Sequence, residues 1–160
     1  MAKPSVTDAD LLLRLYELRR DPDMRRARHF IISEFNATSW DEMQSQYLTG
    51  SDPDRFFRMV TSYWELVAGM VNRGVLNEEL LFDTHGEDIV VWNRVKAVVA
   101  GARAVIRPTY LWNLERMARR HMAWREATYP TANAVIEAGS TLGAKPAKRV
   151  VGKKPKKRSR

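Results

Sequence analysis

The stretch DTHGED at residues 83–88 crowds Asp83, His85, Glu87 and Asp88 into a few positions, with Glu78 and Glu79 just upstream and Glu65 further back. Carboxylates and an imidazole at that density could bind a divalent cation or pair as general acid and base. The spacing matches neither the helical H-E-x-x-H zinc pattern nor the D-x-D-x-D-G calcium loop. Gly86 as a turn residue, followed by Glu87 and Asp88 as acids favouring the start of the next helix, explains the same six letters without chemistry. A metal-assisted enzyme or small-molecule binder using this turn with Glu65 therefore stands as the alternative function. No catalytic residue, metal ligand set or cofactor is assigned.

The remaining histidines share no metal-ligand spacing. His121 falls on the apolar side of a helical pattern beside Met117 and Trp124, where a core or boundary histidine is expected to find backbone or solvent partners. His29 is flanked by Arg28 and reads as exposed. The chain has no G-x-x-x-x-G-K-[ST] loop and no nucleophile elbow.

The strongest compositional feature is the C-terminal run. Lys145, Lys148, Arg149, Lys153, Lys154, Lys156, Lys157, Arg158 and Arg160 contribute nine positive charges with no acid among them, so the +8 of the whole chain leaves residues 1–144 at −1. Val150 and Val151 are too little apolar surface to repay ordering, and Pro146, Gly152 and Pro155 oppose a helix, so residues 145–160 are expected to be disordered when free. A disordered polycation binds polyanions, and neutralising about five phosphates gives a logarithmic salt slope of about −4 to −5. Non-specific nucleic-acid binding through the tail is the first expectation. A membrane surface ranks below it, because the tail lacks aromatic or long apolar residues to insert. Arg25, Arg26, Arg119 and Arg120 form a secondary basic surface, with Glu17, Asp21, Asp23 and Glu115 nearby to balance it.

These groups must be carried by helices, since no strand alternation is present. The 44% of apolar residues, with five Trp, five Tyr and five Phe, suffice for one core within residues 1–130. Cysteine is absent, so no disulfide framework or thiolate metal site exists. The opening MAKPSVTDAD lacks an apolar signal region, and Arg103 interrupts the apolar run AVVAGARAVI, so a cytoplasmic protein is expected.

Thr7 is expected to cap a first helix, and Asp21–Pro22 to end it and open a second whose apolar side carries Met24, Ala27, Ile31 and Phe35. Ser39 and Glu42 have capping-box spacing and start a short helix that should end near Gly50. Phe57, Val60, Trp64, Val67 and Val71 recur at three- and four-residue steps in a helix over residues 53–73, closed by Gly74. Asn77 caps a short fifth helix stopped by Gly86. Val91, Val95, Val98, Ala102 and Val105 face inward from a sixth over residues 87–107, and Ala97, Gly101 and Ala104 offer a flat side for a close crossing. Pro108 opens a seventh over residues 108–127, with Leu111, Leu114, Ala118 and His121 on one face.

Tyr63, Trp64 and Glu65, then Gly74, residues 78–82, Gly86, Trp92 and Pro108, resemble the anchors and helix stops of a bacterial family of small helical proteins catalogued as a domain of unknown function. The resemblance runs over about residues 15–126 and implies a helical fold, with no catalytic residue to carry over. Some members of that family are preceded by membrane helices, which this sequence does not show.

The reading is an all-α bundle of about six or seven helices over residues 1–130, a linker or short helical extension over residues 131–144 and a disordered basic tail over residues 145–160. Its expected role is that of a non-enzymatic interaction module held near nucleic acid, with a protein partner or a second copy of itself as further possible company.

Overall fold

A computed structural model describes residues 3–130. The expected extension over residues 131–144 and the basic tail over residues 145–160 lie outside the described residues. Every described element is helical: α1 Val6–Arg20, α2 Pro22–His29 running into a π-helical turn Phe30–Glu34, α3 Trp40–Gln46, α4 Asp52–Asn72, α5 Glu78–Thr84, α6 Glu87–Val105 and α7 Trp112–Thr128. The chain divides into two units, Met1–Trp124 and Arg125–Arg160. The core and the candidate sites lie in the first.

Capping chemistry sets most of the helix starts. Ser5, rather than Thr7, caps α1: its hydroxyl accepts the Asp8 N–H and the Asp8 carboxylate accepts the Ser5 N–H at 2.7 Å. Both hydroxyl residues have an acid three positions on, Asp8 for Ser5 and Asp10 for Thr7, but only Ser5 completes a reciprocal box. Asp8 also accepts the backbone N–H of Asn77 at 2.7 Å, which ties the start of α1 to the start of α5. Asp21 caps α2 with Pro22 in its first turn, as expected. Ser39 accepts the Glu42 N–H at 3.1 Å, but the Glu42 carboxylate turns to Thr38, so only half of the expected box forms. The third helix ends at Gln46, and Gly50, at φ +85°, turns the chain into α4 instead.

Helix α4 is the central beam. Phe57, Val60, Trp64, Val67 and Val71 are all buried, and Gly74 follows the helix in the left-handed conformation at φ +70°. α2 and the π turn pack on it, bringing Phe30 and Phe35 against Tyr47, Phe56 and Phe57 with ring centroids 5.2 to 6.1 Å apart. The Tyr63 hydroxyl donates to the carbonyl of Leu15 at 3.1 Å. Val95, Val98 and Leu114 are fully buried, as their stripes require.

Two expectations fail at the far end of α6. Val105 is 71% exposed, because α6 ends there and the chain turns away from the core. Pro108 does not open α7. Residues 107–111 form turns in which Leu111 takes φ +49°, and α7 starts at Trp112. The capping group comes from α4: the Glu65 carboxylate accepts the Asn113 N–H at 3.1 Å and the Leu114 N–H at 2.9 Å. Of the three small residues on α6, only Gly101 makes the close crossing, since Ala97 and Ala104 are exposed.

A Cβ added at Gly101 would lie 2.2 Å from the Trp40 Cβ, so α3 rests directly on the α6 backbone. Gly→Ala at an ordinary helix position gains up to about 1 kcal/mol in propensity. Gly101→Ala is expected to reverse that sign and cost about 1–3 kcal/mol, because the clash involves a rigid stem rather than a flexible tip. Urea midpoints check this against Gly69→Ala, whose nearest neighbour is 3.9 Å away and whose effect should be neutral or stabilising.

Candidate functional site

The turn between α5 and α6 sends its titratable groups in different directions. Asp83 is exposed on the last turn of α5. His85 lies in extended backbone, its Nδ1 2.9 Å from the Thr84 hydroxyl and its ring edge-on to Trp64 at 6.4 Å. Gly86 contributes no side-chain cap, so Glu87 and Asp88 stand in the first turn of α6, where the helix dipole favours negative charge.

Glu87 faces α1, α2 and α4. Its carboxylate accepts from Arg19 Nη2 at 2.7 Å, from Arg28 Nε at 2.8 Å and from Arg28 Nη2, and it also accepts the Trp64 indole N–H at 3.3 Å. Burial acts to raise the Glu87 carboxyl, but the bonds from Arg28 and the charge of Arg19 outweigh it and hold the carboxyl below its ordinary value. Asp88 points the opposite way. It is fully buried, and His121 Nδ1 donates to its two oxygens at 3.0 and 2.9 Å. The fully buried imidazole stacks on Phe82 with centroids 4.1 Å apart and planes within 3°, and Trp124 tilts against its other surroundings at 5.9 Å.

An Asp–His pair is the orienting half of a hydrolytic triad. Here Nε2 of His121 has no hydrogen-bond partner among the described residues, and both side chains are sealed from solvent. What the geometry does is fasten α6 to α7. No group of three or more His, Asp or Glu side chains among the described residues is arranged to hold a metal ion. Glu65 is engaged with the start of α7 instead of facing the turn.

Three of the four arginines of the expected secondary basic surface are paired with acids. Arg120 binds Glu78 at 2.6 Å and Asn72 at 2.7 Å, Arg119 binds Glu115 at 2.7 Å, and Arg26 pairs with Asp23. Arg25 is exposed and in no salt bridge among the described residues. The structure also shows a groove of about 1090 Å³ between the outer face of α4 and the residues joining α6 to α7. Met59, Leu66, Met70, Val75, Ile106 and Tyr110 line it, and Arg55, Arg58, Arg73 and Arg107 border it. Sequence reasoning missed it, although Leu66 and Ile106, apolar residues off the core stripes, were its signal.

A family model described as "Domain of unknown function (DUF4760)" matches residues 4–121. The chain belongs to this family. The resemblance read from Tyr63, Trp64, Gly74 and Trp92 is thereby upheld. No significant match was found among curated proteins, and none among solved structures. The DUF4760 region ends at His121, so both partners of the Asp88–His121 bond fall inside it, and residues 145–160 fall outside.

Two outcomes follow for the DUF4760 body. Asp88→Ala strands a buried imidazole and His121→Ala strands a buried carboxylate, so each should cost about 3 kcal/mol or more. In a urea double-mutant cycle built from Asp88→Leu, His121→Phe and the two together, the double variant should cost well below the sum of those two singles.

The second outcome is a pH dependence. Burial, aided by Arg19 and His121 and opposed by Asp88 and Glu87, lowers the His85 imidazole below its ordinary 6.5. The unfolded chain therefore takes up that proton first as pH falls. Stability is fully present above about 6.5 and declines as pH drops through 6.5 toward the lowered folded value. Urea midpoints at about pH 7.5 and about pH 5.5 should differ less for His85→Asn than for wild type.

Proposed function

We propose that the chain is a non-enzymatic helical interaction module of the cytoplasm whose residues 145–160 give weak, sequence-independent binding to nucleic acid. The observation that carries this reading is the partition of charge. The tail supplies nine cations and no acid, whereas residues 1–144 sum to −1. Within the body, Arg19, Arg26, Arg28, Arg55, Arg58, Arg103, Arg119 and Arg120 are held in salt bridges, which lowers their pull on phosphate. The Glu115 carboxyl illustrates the balance: burial raises it, yet Arg103 and Arg119 hold it below its ordinary value.

A polycation on a neutralised body binds by releasing counterions from the nucleic-acid backbone, so its affinity depends on salt and ignores base sequence. The body then brings its own surfaces close to whatever the tail grips. Ending the chain after residue 144 should leave the circular dichroism of the helices unchanged and abolish most binding to a mixed-sequence duplex. The full chain should lose affinity with a logarithmic salt slope of about −4 to −5. Equal binding by both chains would refute the tail and leave Arg25 with its neighbours as the site.

A further inference from the structure

Several arginines of the body face acids, but three that do not meet in one recess. Arg73 closes α4, Arg107 lies in the turns joining α6 to α7, and Arg116 stands on α7. All three are exposed, and none is in a salt bridge among the described residues. With Thr109 and Trp112 beside them, they line a polar recess of about 480 Å³. That volume falls in the ordinary range of small-molecule sites, about 300–1,000 Å³.

The acids nearby are already engaged. Glu65, which also lines the recess, accepts the Asn113 N–H at 3.1 Å, the Asn113 side-chain amide at 2.9 Å and the Leu114 N–H at 2.9 Å. Glu115, next to Arg116 in sequence, is held by Arg103 and Arg119, each at 2.7 Å. Three arginines against the one carboxylate of Glu65 leave the recess at a net +2. Cations gathered in this way repel one another, and an anion that enters relieves the repulsion. The other arginine-lined recess, formed by Tyr16, Arg19, Arg20, Arg25 and Arg28, differs, because Arg19 and Arg28 already share Glu87.

Trp112 gives the recess a flat wall. Its ring is 47% exposed and is backed by Arg103, whose guanidinium carbon lies 5.5 Å from the ring centroid. Arg103 is itself fixed by Glu115 and by the Tyr110 carbonyl, which it reaches at 2.9 Å. The ring is therefore held in place with one face covered and the other left for a planar group.

We propose that this recess binds a nucleoside monophosphate, with the phosphate among Arg73, Arg107 and Arg116 and the base stacked on Trp112. A phosphate monoester carries about −1.5 to −2 charges at neutral pH, which matches the recess, and its oxygens accept guanidinium forks two at a time. The Thr109 hydroxyl adds a donor that carries no charge. The tail contributes no residue to this site, so the two modes of binding fail or succeed separately.

The test is equilibrium dialysis of the nuclease-treated full chain with labelled AMP at physiological salt, competed by inorganic phosphate, adenosine and hexyl phosphate. AMP should bind about tenfold more tightly than either inorganic phosphate or adenosine. Arg107→Ala and Arg116→Ala should each weaken AMP by about tenfold or more. Trp112→Leu should weaken AMP by about tenfold while leaving inorganic phosphate unchanged, and Trp112→Tyr should recover most of the loss. All four substitutions are at exposed positions, so the helical circular dichroism should match wild type. Arg25→Ala, which removes an equally exposed charge on α2, should leave AMP binding as it was. No binding of AMP by wild type, equal affinity for AMP and inorganic phosphate, or an equal loss in Arg25→Ala would overturn the proposal. The recess shares Glu65, Arg73, Arg107 and Asn113 with the apolar groove along α4, so hexyl phosphate binding more tightly than AMP would overturn it as well.

Discussion

The first turn of α6 holds the bundle together. Glu87 and Asp88 are neighbours in sequence, but the helix separates their side chains, so one carboxylate meets Arg19 of α1, Arg28 of α2 and Trp64 of α4 while the other meets His121 of α7. Five of the seven described helices thus converge on two consecutive acids. The helix dipole favours negative charge at that end, which offsets part of the cost of taking two carboxylates out of water. Burying charge is a poor way to gain net stability compared with apolar packing. It does penalise alternatives severely, because any arrangement that separates Asp88 from His121 leaves a charge or a polar ring stranded in a dry interior.

That constraint shapes what the body has left for function. The acids of the 83–88 turn diverge among the helices, and several arginines that would make a basic face are paired with acids: Arg120 with Glu78 of α5, Arg103 of α6 with Glu115 of α7, and Arg119 with Glu115 one turn away on its own helix. Charge that is paired internally contributes little to long-range attraction. Among the described residues, exposed apolar side chains gather on the outer face of α1 and along the groove beside α4.

How much could be read beforehand follows from how far apart the deciding partners are. The apolar stripe of α4, the Asp21–Pro22 start, the Asn77 cap and the left-handed Gly74 depend on residues a few positions apart, and all are as expected. The start of α7 was misplaced because its capping group, Glu65, lies 48 positions upstream, where no local pattern reveals it. Asp88 was read only as an acid favouring a helix start, and its buried partner was missed for a similar reason. Beside Glu87 it has the same local preference for a helix start, and only the placement of His121, 33 positions on, buries it. The apolar register of Met24, Ala27, Ile31 and Phe35 was recognised, but not the widened π turn that delivers Phe35 to its aromatic neighbours. The groove needed the α6–α7 turn, whose positive-φ Leu111 runs against residue preference.

The role of the α6 start is best tried by native-state hydrogen exchange on the Glu87→Gln/Asp88→Asn double variant. If these two side chains join the helices, amide protection should fall together in α1, α2 and the part of α7 around His121, with α6 itself no more affected than they are. Loss of protection confined to the first turn of α6, with α1, α2 and α7 as protected as in wild type, would contradict it.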